Sequence, residues 1–326
     1  MRILVLHSDV GPEAPPDEQD TLLTAGAVAT ALAERGHAVT VRRFEPETLN
    51  ATLEHERVEV VFNLVESVFG QGDLAGIAPA MLARMHVPFT GCTAAVLSSA
   101  ADKCFTKRVL RTSGLPTPDW SEPPTWDGLS DDVVYVVKAV DEDASLGLDD
   151  GAVVRGRGAV RARAEACGKR YRGRWFAEAY CPGREFNVSL IGRNCAPRAF
   201  PIAETKFNEW APERPLIVGY AAKWHEQSAD SVGTPRVFGI ERESPALAES
   251  MNSLAVRAWR LMNLQGYARV DIRLDDAGSP MILEINPNPC LEPNAGFAAA
   301  ASQAGLDYVD LVEQIALETS RLSGAA

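Results

Sequence analysis

Two short segments late in the chain carry side chains able to hold a cation: Arg269-Val270-Asp271-Ile272 and Leu283-Glu284-Ile285-Asn286. Both alternate polar with apolar residues, the period of a β-strand. Arg269 and Asp271 therefore share one face of their strand, and Glu284 and Asn286 one face of theirs. A turn at residues 275–279 would pair the strands and bring two carboxylates, an amide and a guanidinium onto one surface. Two carboxylates and an amide oxygen suit a hard divalent cation, Mg²⁺ or in its place Mn²⁺, whose remaining positions go to water and phosphate oxygens. The same alternation describes the solvated face of an ordinary antiparallel hairpin, and these residues alone do not choose between the two.

The elements that must position such a site follow from the rest of the chain. At 326 residues it has room for two or three domains. Its 46% apolar and 23% charged residues are those of an ordinary folded protein. A net charge of -12 disfavours nucleic acid and anionic membrane surfaces as general partners. The N-terminus lacks the long apolar region of a signal peptide and no stretch is long and apolar enough to span a bilayer, so a cytoplasmic location is expected. Six scattered cysteines, without a CxxC pair, read as buried thiols rather than a disulfide or zinc framework.

Apolar runs at 1–6, 38–42 and 58–63 read as strands, with helices at 21–35, stopped by Gly36, and at 74–85. That alternation predicts an open α/β unit with a parallel sheet over the first 90 or so residues. The loop His7-Ser8-Asp9-Val10-Gly11 lacks G-x-G-x-x-G, which argues against a dinucleotide site there. Four prolines in 116–124 mark a linker or lobe edge. Strands are expected at 133–137, paired with 152–155, and at 175–180, 185–191, 267–274 and 281–285, with an Arg-rich surface helix ending near Arg170. This second half reads as α+β, mostly antiparallel and with few helices, interrupted by a long loop over 205–234.

Several motifs then recur in order: P-F-T-G-C at 88–92, D-K-C-F-T-K at 102–107, V-V-K at 136–138, A-E-A-Y-C-P-G-R-E-F at 177–186, Y-A-A-K-W at 220–224, R-V-D at 269–271 and L-E-I-N-P-N-P-C at 283–290. In this set and spacing the chain resembles the ATP-grasp superfamily, and within it the D-alanine–D-alanine ligase-like branch. The resemblance implies an α/β N-terminal domain (1–92) followed by an α+β ATP-grasp domain whose central lobe with the phosphate lid (93–182) and C-terminal lobe with the metal site (183–326) clamp ATP.

It also implies roles. Lys103 and Lys138 would hold ATP phosphates, a task suited to compact ammonium charges, with Ser145 and Gly147 in the lid loop after Lys138. Glu178, with the backbone at Ala179 and Tyr180, would meet the adenine amino group, and Glu185 the ribose. Asp271, Glu284 and Asn286 would hold Mg²⁺ or Mn²⁺. Lys223 would reach the terminal phosphate, beside Trp224, which would shape an amino-acid pocket. Arg269 and the backbone N–H of Cys290 would steady an oxyanion; no partner base is apparent for the Cys290 thiol.

On the substrate side the chain departs from the family. Asp141-Glu142-Asp143-Ala144 replaces a Gly-Ser run, Pro287-Asn288-Pro289-Cys290 replaces Pro-Gly-Met, and Ala295 falls near a serine that takes the second substrate's carboxylate. Glu66 stands where relatives carry His-Gly, and Glu18 or Asp20 would serve for a missing first-substrate acid, Asp20 alternatively capping the helix that begins near Thr21. Asn294 completes the substrate-side candidates. The implied activity is an ATP-dependent carboxylate–amine ligase acting through an acyl phosphate on small amino-acid or peptide substrates, as a homodimer in many relatives. D-alanine–D-alanine ligation itself is the alternative, with an ATP-grasp phosphotransferase or a catalytically silent ATP-binding regulator as readings of another class.

Overall fold

The computed structural model describes residues 1–11, 13–141, 144–171, 173–193, 196–225 and 227–319. Cys195 and the lid acids Glu142 and Asp143 lie outside them.

The chain opens with β1 (Arg2–His7), α1 (Pro16–Glu34), β2 (Ala38–Arg43), α2 (Leu49–Glu56), β3 (Val60–Leu64) and α3 (Ile77–Arg84). The three strands form the expected parallel sheet, in the order β2-β1-β3. Its central strand is apolar on both faces because both are covered. Ile3 and Val5 pack with α1, whereas Leu4 and Leu6 pack with α2 and α3. Helix α1 begins five residues earlier than its apolar period suggests. Pro15 is its N-cap and Pro16 its first residue, with Asp17 and Glu18 in the first turn; proline there gives up no helical hydrogen bond, and acids favour the helix N-terminus. Asp20 is consequently inside the helix and cannot cap it.

Next come α4 (Ala94–Ala101), α5 (Lys103–Thr112), β4 (Trp120–Ser121), β5 (Val134–Ala139), β6 (Val153–Arg155), α6 (Gly156–Tyr171) and β7 (Trp175–Ala179). Asp102 caps α5 by accepting from the Phe105 N–H at 2.7 Å. The four strands form a sheet ordered β4-β7-β5-β6, including the expected antiparallel pairing of β5 with β6.

The remainder is β8 (Glu185–Arg193), β9 (Ala196–Ala199), β10 (Ala203–Thr205), α7 (Tyr220–Trp224), α8 (Ala229–Gly233), β11 (Arg236–Phe238), α9 (Ile240–Glu243), α10 (Pro245–Leu261), β12 (Gly266–Leu274), β13 (Pro280–Asn286), α11 (Gly296–Gln303) and α12 (Tyr308–Leu317). Its sheet runs β11-β10-β8-β12-β13 with β9 on β8, all antiparallel. The expectation of few helices fails here. Helix α10 buries Ala248, Met251, Leu254, Ala255, Ala258 and Trp259 at helical spacing against this sheet, and the loop expected over 205–234 contains α7 and α8.

Each sheet draws its strands from one third of the chain, but helices cross between them. Leu97 of α4 and Leu110 of α5 join the core of the last sheet, while Phe297, Leu311 and Ile315 of α11 and α12 close over the first. The backbones of Gly91 and Gly266 touch where these units meet. A Cβ on Gly266, whose φ is +69°, would stand 2.9 Å from Gly91 Cα, so only glycine allows the approach.

Candidate active site

The last sheet forms one wall of a cleft of about 1070 Å³. Register explains what that wall presents. Arg269 pairs with Asn286, Asp271 with Glu284 on one side and Asn187 on the other, and directly opposed residues point to the same face. Arg269, Asp271, Glu284, Asn286 and Asn187 thus line the cleft together. A β-bulge between Asp271 and Ile272 turns Leu283 into the same cleft.

Asp271 is buried and fixed from two sides. Arg269 donates from Nε to Oδ1 at 2.7 Å and from Nη2 to Oδ2 at 2.8 Å, and Asn187 Nδ2 donates to Oδ1 at 2.8 Å. Burial would favour the neutral acid, but the Arg269 charge and hydrogen bonds, then Lys223 and Asn187, hold the carboxyl below its ordinary range. The donor set fits a hard cation in kind, being all oxygen with Asp271 kept ionised. Among the described residues no group of three or more His, Cys, Asp or Glu is placed to hold a metal ion; here the amide of Asn286 would be the third donor.

Lysines face this wall from three other elements: Lys103 on α5, Lys138 on β5 and Lys223 on α7, all lining the cleft. Lys103 Nζ is 4.0 Å from Glu284 Oε2. Lys107 lies one turn beyond Lys103 on the buried face of α5. Its Nζ is 2.6 Å from Glu178 Oε2 and donates to Thr117 Oγ1 at 2.8 Å. Lys138 takes the other oxygen of Glu178.

Glu178, expected as an adenine contact, lines the same cleft while pairing with both lysines. Its side chain is 2% exposed and spent on two lysines, because Val136 opposes Glu178 and strand alternation puts Lys138 on that same face. Burial alone would raise its pKa, yet the two ammonium groups lower it to about 2. Ala179 and Tyr180 line the cleft, but their N–H groups donate to the carbonyls of Asp119 and Val134. Glu185 lines it too, its Oε2 3.6 Å from Arg273 Nη1.

The lid loop is tied down by side chains. Ser145 Oγ donates to the Val218 carbonyl at 3.2 Å, and the Trp224 indole donates to the Ala144 carbonyl at 2.9 Å. Gly147 has φ +70°, and a Cβ there would meet Trp175 Cη2 at 2.6 Å. Asp141, the lid acid within the described residues, is neutralised by Arg174, which also reaches Asp102 at 3.0 Å. Tyr220 OH donates to Asp17 Oδ1 at 2.6 Å, joining α7 to α1. Burial and that carboxylate push the phenol up to about 12, so it remains a donor.

Glu18, Asp20, Glu66, Cys290 and Asn294 line the far end of the cleft. Asp20 Oδ2 accepts from the Cys290 thiol at 3.0 Å, while burial and the Asp20 charge push the thiol well above its ordinary pKa. A protonated donor thiol is no nucleophile. Cys290→Ser is therefore expected to keep ATP turnover within about threefold, since a hydroxyl also donates; complete loss would reveal a covalent role. Asn294 turns its amide to Glu292 Oε1 at 3.2 Å.

Sequence reasoning missed Lys107, Asn187, Asp17 and Tyr220. Asn187 was readable, lying two residues from Glu185 on the same strand face, and so was Lys107, four residues from Lys103 on one helix. The Asp17–Tyr220 pair spans 203 positions and has no local signal.

The family model described as D-ala D-ala ligase C-terminus matches residues 132–317. An uncharacterized protein of Sinorhizobium fredii is 31% identical over 92% of this chain and 88% of its own length. The D-alanine–D-alanine ligase of Moorella thermoacetica is 29% identical over 97% of this chain and 98% of its own. Among solved structures, the D-alanine–D-alanine ligase from Bacillus anthracis complexed with ATP superposes with a TM-score of 0.76 at 20% identity, covering 98% and 96% of the two chains, which is a likeness of fold. No described helix is long and apolar enough to cross a membrane.

Proposed function

The chain belongs to the D-alanine–D-alanine ligase family, and from that premise we propose that it is an ATP-dependent carboxylate–amine ligase acting on small amino-acid or peptide substrates. The observation that carries the reading is the convergence of Arg269, Asp271, Glu284 and Asn286 with Lys103, Lys138 and Lys223 in one cleft.

In the reaction, the substrate carboxylate takes the γ-phosphoryl group of ATP, giving an acyl phosphate and ADP. An amine then attacks the carbonyl carbon, and inorganic phosphate leaves. Lys103, Lys138 and Lys223 supply positive charge to the phosphates. Asp271, Glu284 and Asn286 would hold Mg²⁺ or Mn²⁺, which when bound offsets negative charge on the transferring phosphoryl group. Arg269 and the Cys290 N–H face the oxyanion that forms at the carbonyl carbon. The lid over Ser145 and Gly147, together with α7, keeps water from the acyl phosphate. The proposal extends to a cytoplasmic enzyme and a homodimer.

Beside its expected place at the adenine, Glu178 also sets the local charge. It carries one negative charge between two lysines, so the group presents one net positive charge through Lys138 while keeping that side chain in place.

A coupled ADP-release screen over D- and L-amino acids, singly and in pairs, tests the activity. Release that depends on two compounds supports it, with D-alanine alone indicating the D-alanyl reaction; no amino-acid dependence overturns it. Tyr220→Phe removes a hydrogen bond to a carboxylate, worth about 1.5–3 kcal/mol, from the closure of α7 on α1. It is expected to raise ADP release without amine relative to peptide formed. Unchanged coupling would show that the contact does not guard the intermediate.

A further inference from the structure

Arg273 stands two positions beyond Asp271 on β12, so the two project from one face of the strand, about 7 Å apart along it, and both line the cleft. On β8 the residues opposite them are Glu185 and Asn187 respectively. Along the cleft wall the order is therefore Arg269, then the cation row of Asp271, Asn187 and Glu284, then the row of Arg273 and Glu185.

Arg273 is only 4% exposed. Its Nε donates to the Gly183 carbonyl at 3.1 Å, and the rings of Tyr180 and Phe207 lie 5.3 and 5.8 Å from its guanidinium. The other two nitrogens are left over. Nη1 is 3.6 Å from Glu185 Oε2, beyond hydrogen-bond range. Nη2 is buried with no hydrogen-bond partner among the described residues. A buried donor left unmet costs about 1–3 kcal/mol. In the wall of a binding cleft such a group points to a ligand atom.

Chemistry and position identify that atom. A carboxylate and a guanidinium side by side, too far apart to satisfy each other, suit a group that donates and accepts at once, which is a hydroxyl. A phosphate would meet the negative charge of Glu185. An adenine base offers ring nitrogens that accept and an amino group that donates, with no atom doing both. With the reacting carbonyl at Arg269 and the phosphates at the cation row, the next part of the nucleotide along β12 is its ribose, which carries two adjacent hydroxyls.

We propose that Arg273 recognises the ribose of the nucleotide, its guanidinium donating to a ribose hydroxyl that in turn donates to Glu185. The inference rests on the ligase reading for the placement of the phosphates, and its test is binding without turnover. ADP and the deoxynucleotides lacking its 2′ or its 3′ hydroxyl are titrated calorimetrically in the presence of Mg²⁺. Wild type is expected to bind one of the deoxynucleotides about 10- to 100-fold more weakly than ADP, the scale of a hydrogen bond to a charged group. Arg273→Met keeps much of the apolar bulk and loses the donor. Its affinity for ADP should fall by a similar factor, whereas its affinity for that deoxynucleotide should fall less than about threefold. A merely structural role would weaken all three ligands alike.

Wild type that binds both deoxynucleotides as tightly as ADP overturns the inference before any variant is made. So does Arg273→Met that weakens all three alike, or none of them. A loss coupled to 3-deaza-ADP rather than to a deoxynucleotide assigns the donor to the base and overturns it too. The expected ribose dependence in a chain that releases no ADP from ATP with any acid supports this inference while overturning the ligase reading.

Discussion

Glu284→Gln is expected to lower kcat for ATP turnover by about 10²- to 10³-fold at saturating Mg²⁺, with little change in thermal stability. The carboxamide keeps the shape of the side chain but removes one of the two negative charges on the cation face, where Glu284 opposes Asp271 across the strand pair. Stabilising charge on a transferring phosphoryl group is worth several kcal/mol, and each 1.36 kcal/mol is about a factor of ten in rate. The Mg²⁺ concentration giving half-maximal rate should rise as well, since a neutral donor binds a hard cation less well. Turnover close to wild type at saturating Mg²⁺ would remove the cation assignment.

Glu178→Gln is expected to act mainly on stability, by about 3–5 kcal/mol in urea unfolding, because it leaves buried Lys107 without its counter-charge and takes from Lys138 its nearest one. Its pH dependence is distinctive. The folded pKa, about 2, lies below the ordinary value of 4.5, so folding is favoured where the unfolded chain would be ionised too, above pH 4.5. That contribution fades as pH falls from about 4.5 toward 2 and amounts to roughly 3 kcal/mol when complete. The stability gap between wild type and Glu178→Gln should therefore be flat above about pH 5 and narrow below it. A gap under about 1 kcal/mol, or one constant down to pH 3, would mean that the carboxylate does not hold the lysines as the geometry indicates.

How much of this was legible depends on whether the governing interaction is local. The face bearing Arg269, Asp271, Glu284 and Asn286 could be read because strand alternation is a two-residue rule, but the bulge that adds Leu283 depends on how two strands meet and leaves no mark in either alone. The parallel sheet of β1 to β3 was readable from apolar runs. The start of α1 was placed too late because residues 16–20 carry no apolar period, although proline is well placed in a first helical turn; the capping alternative for Asp20 fell with it. Helix α10 had a visible period, obscured by the expectation of strands around it. At Glu178 the motif located the acid, but not its pairing with Lys107, which comes from a different element.

The packing of α11 and α12 against the first sheet has a consequence for biosynthesis. Ile3, Val5 and Phe62 share a core with Phe297, Leu311 and Ile315, so β1 and β3 leave the ribosome long before the helices that cover them. Until then one side of that sheet stays greasy and open, a state that invites misassembly or a chaperone.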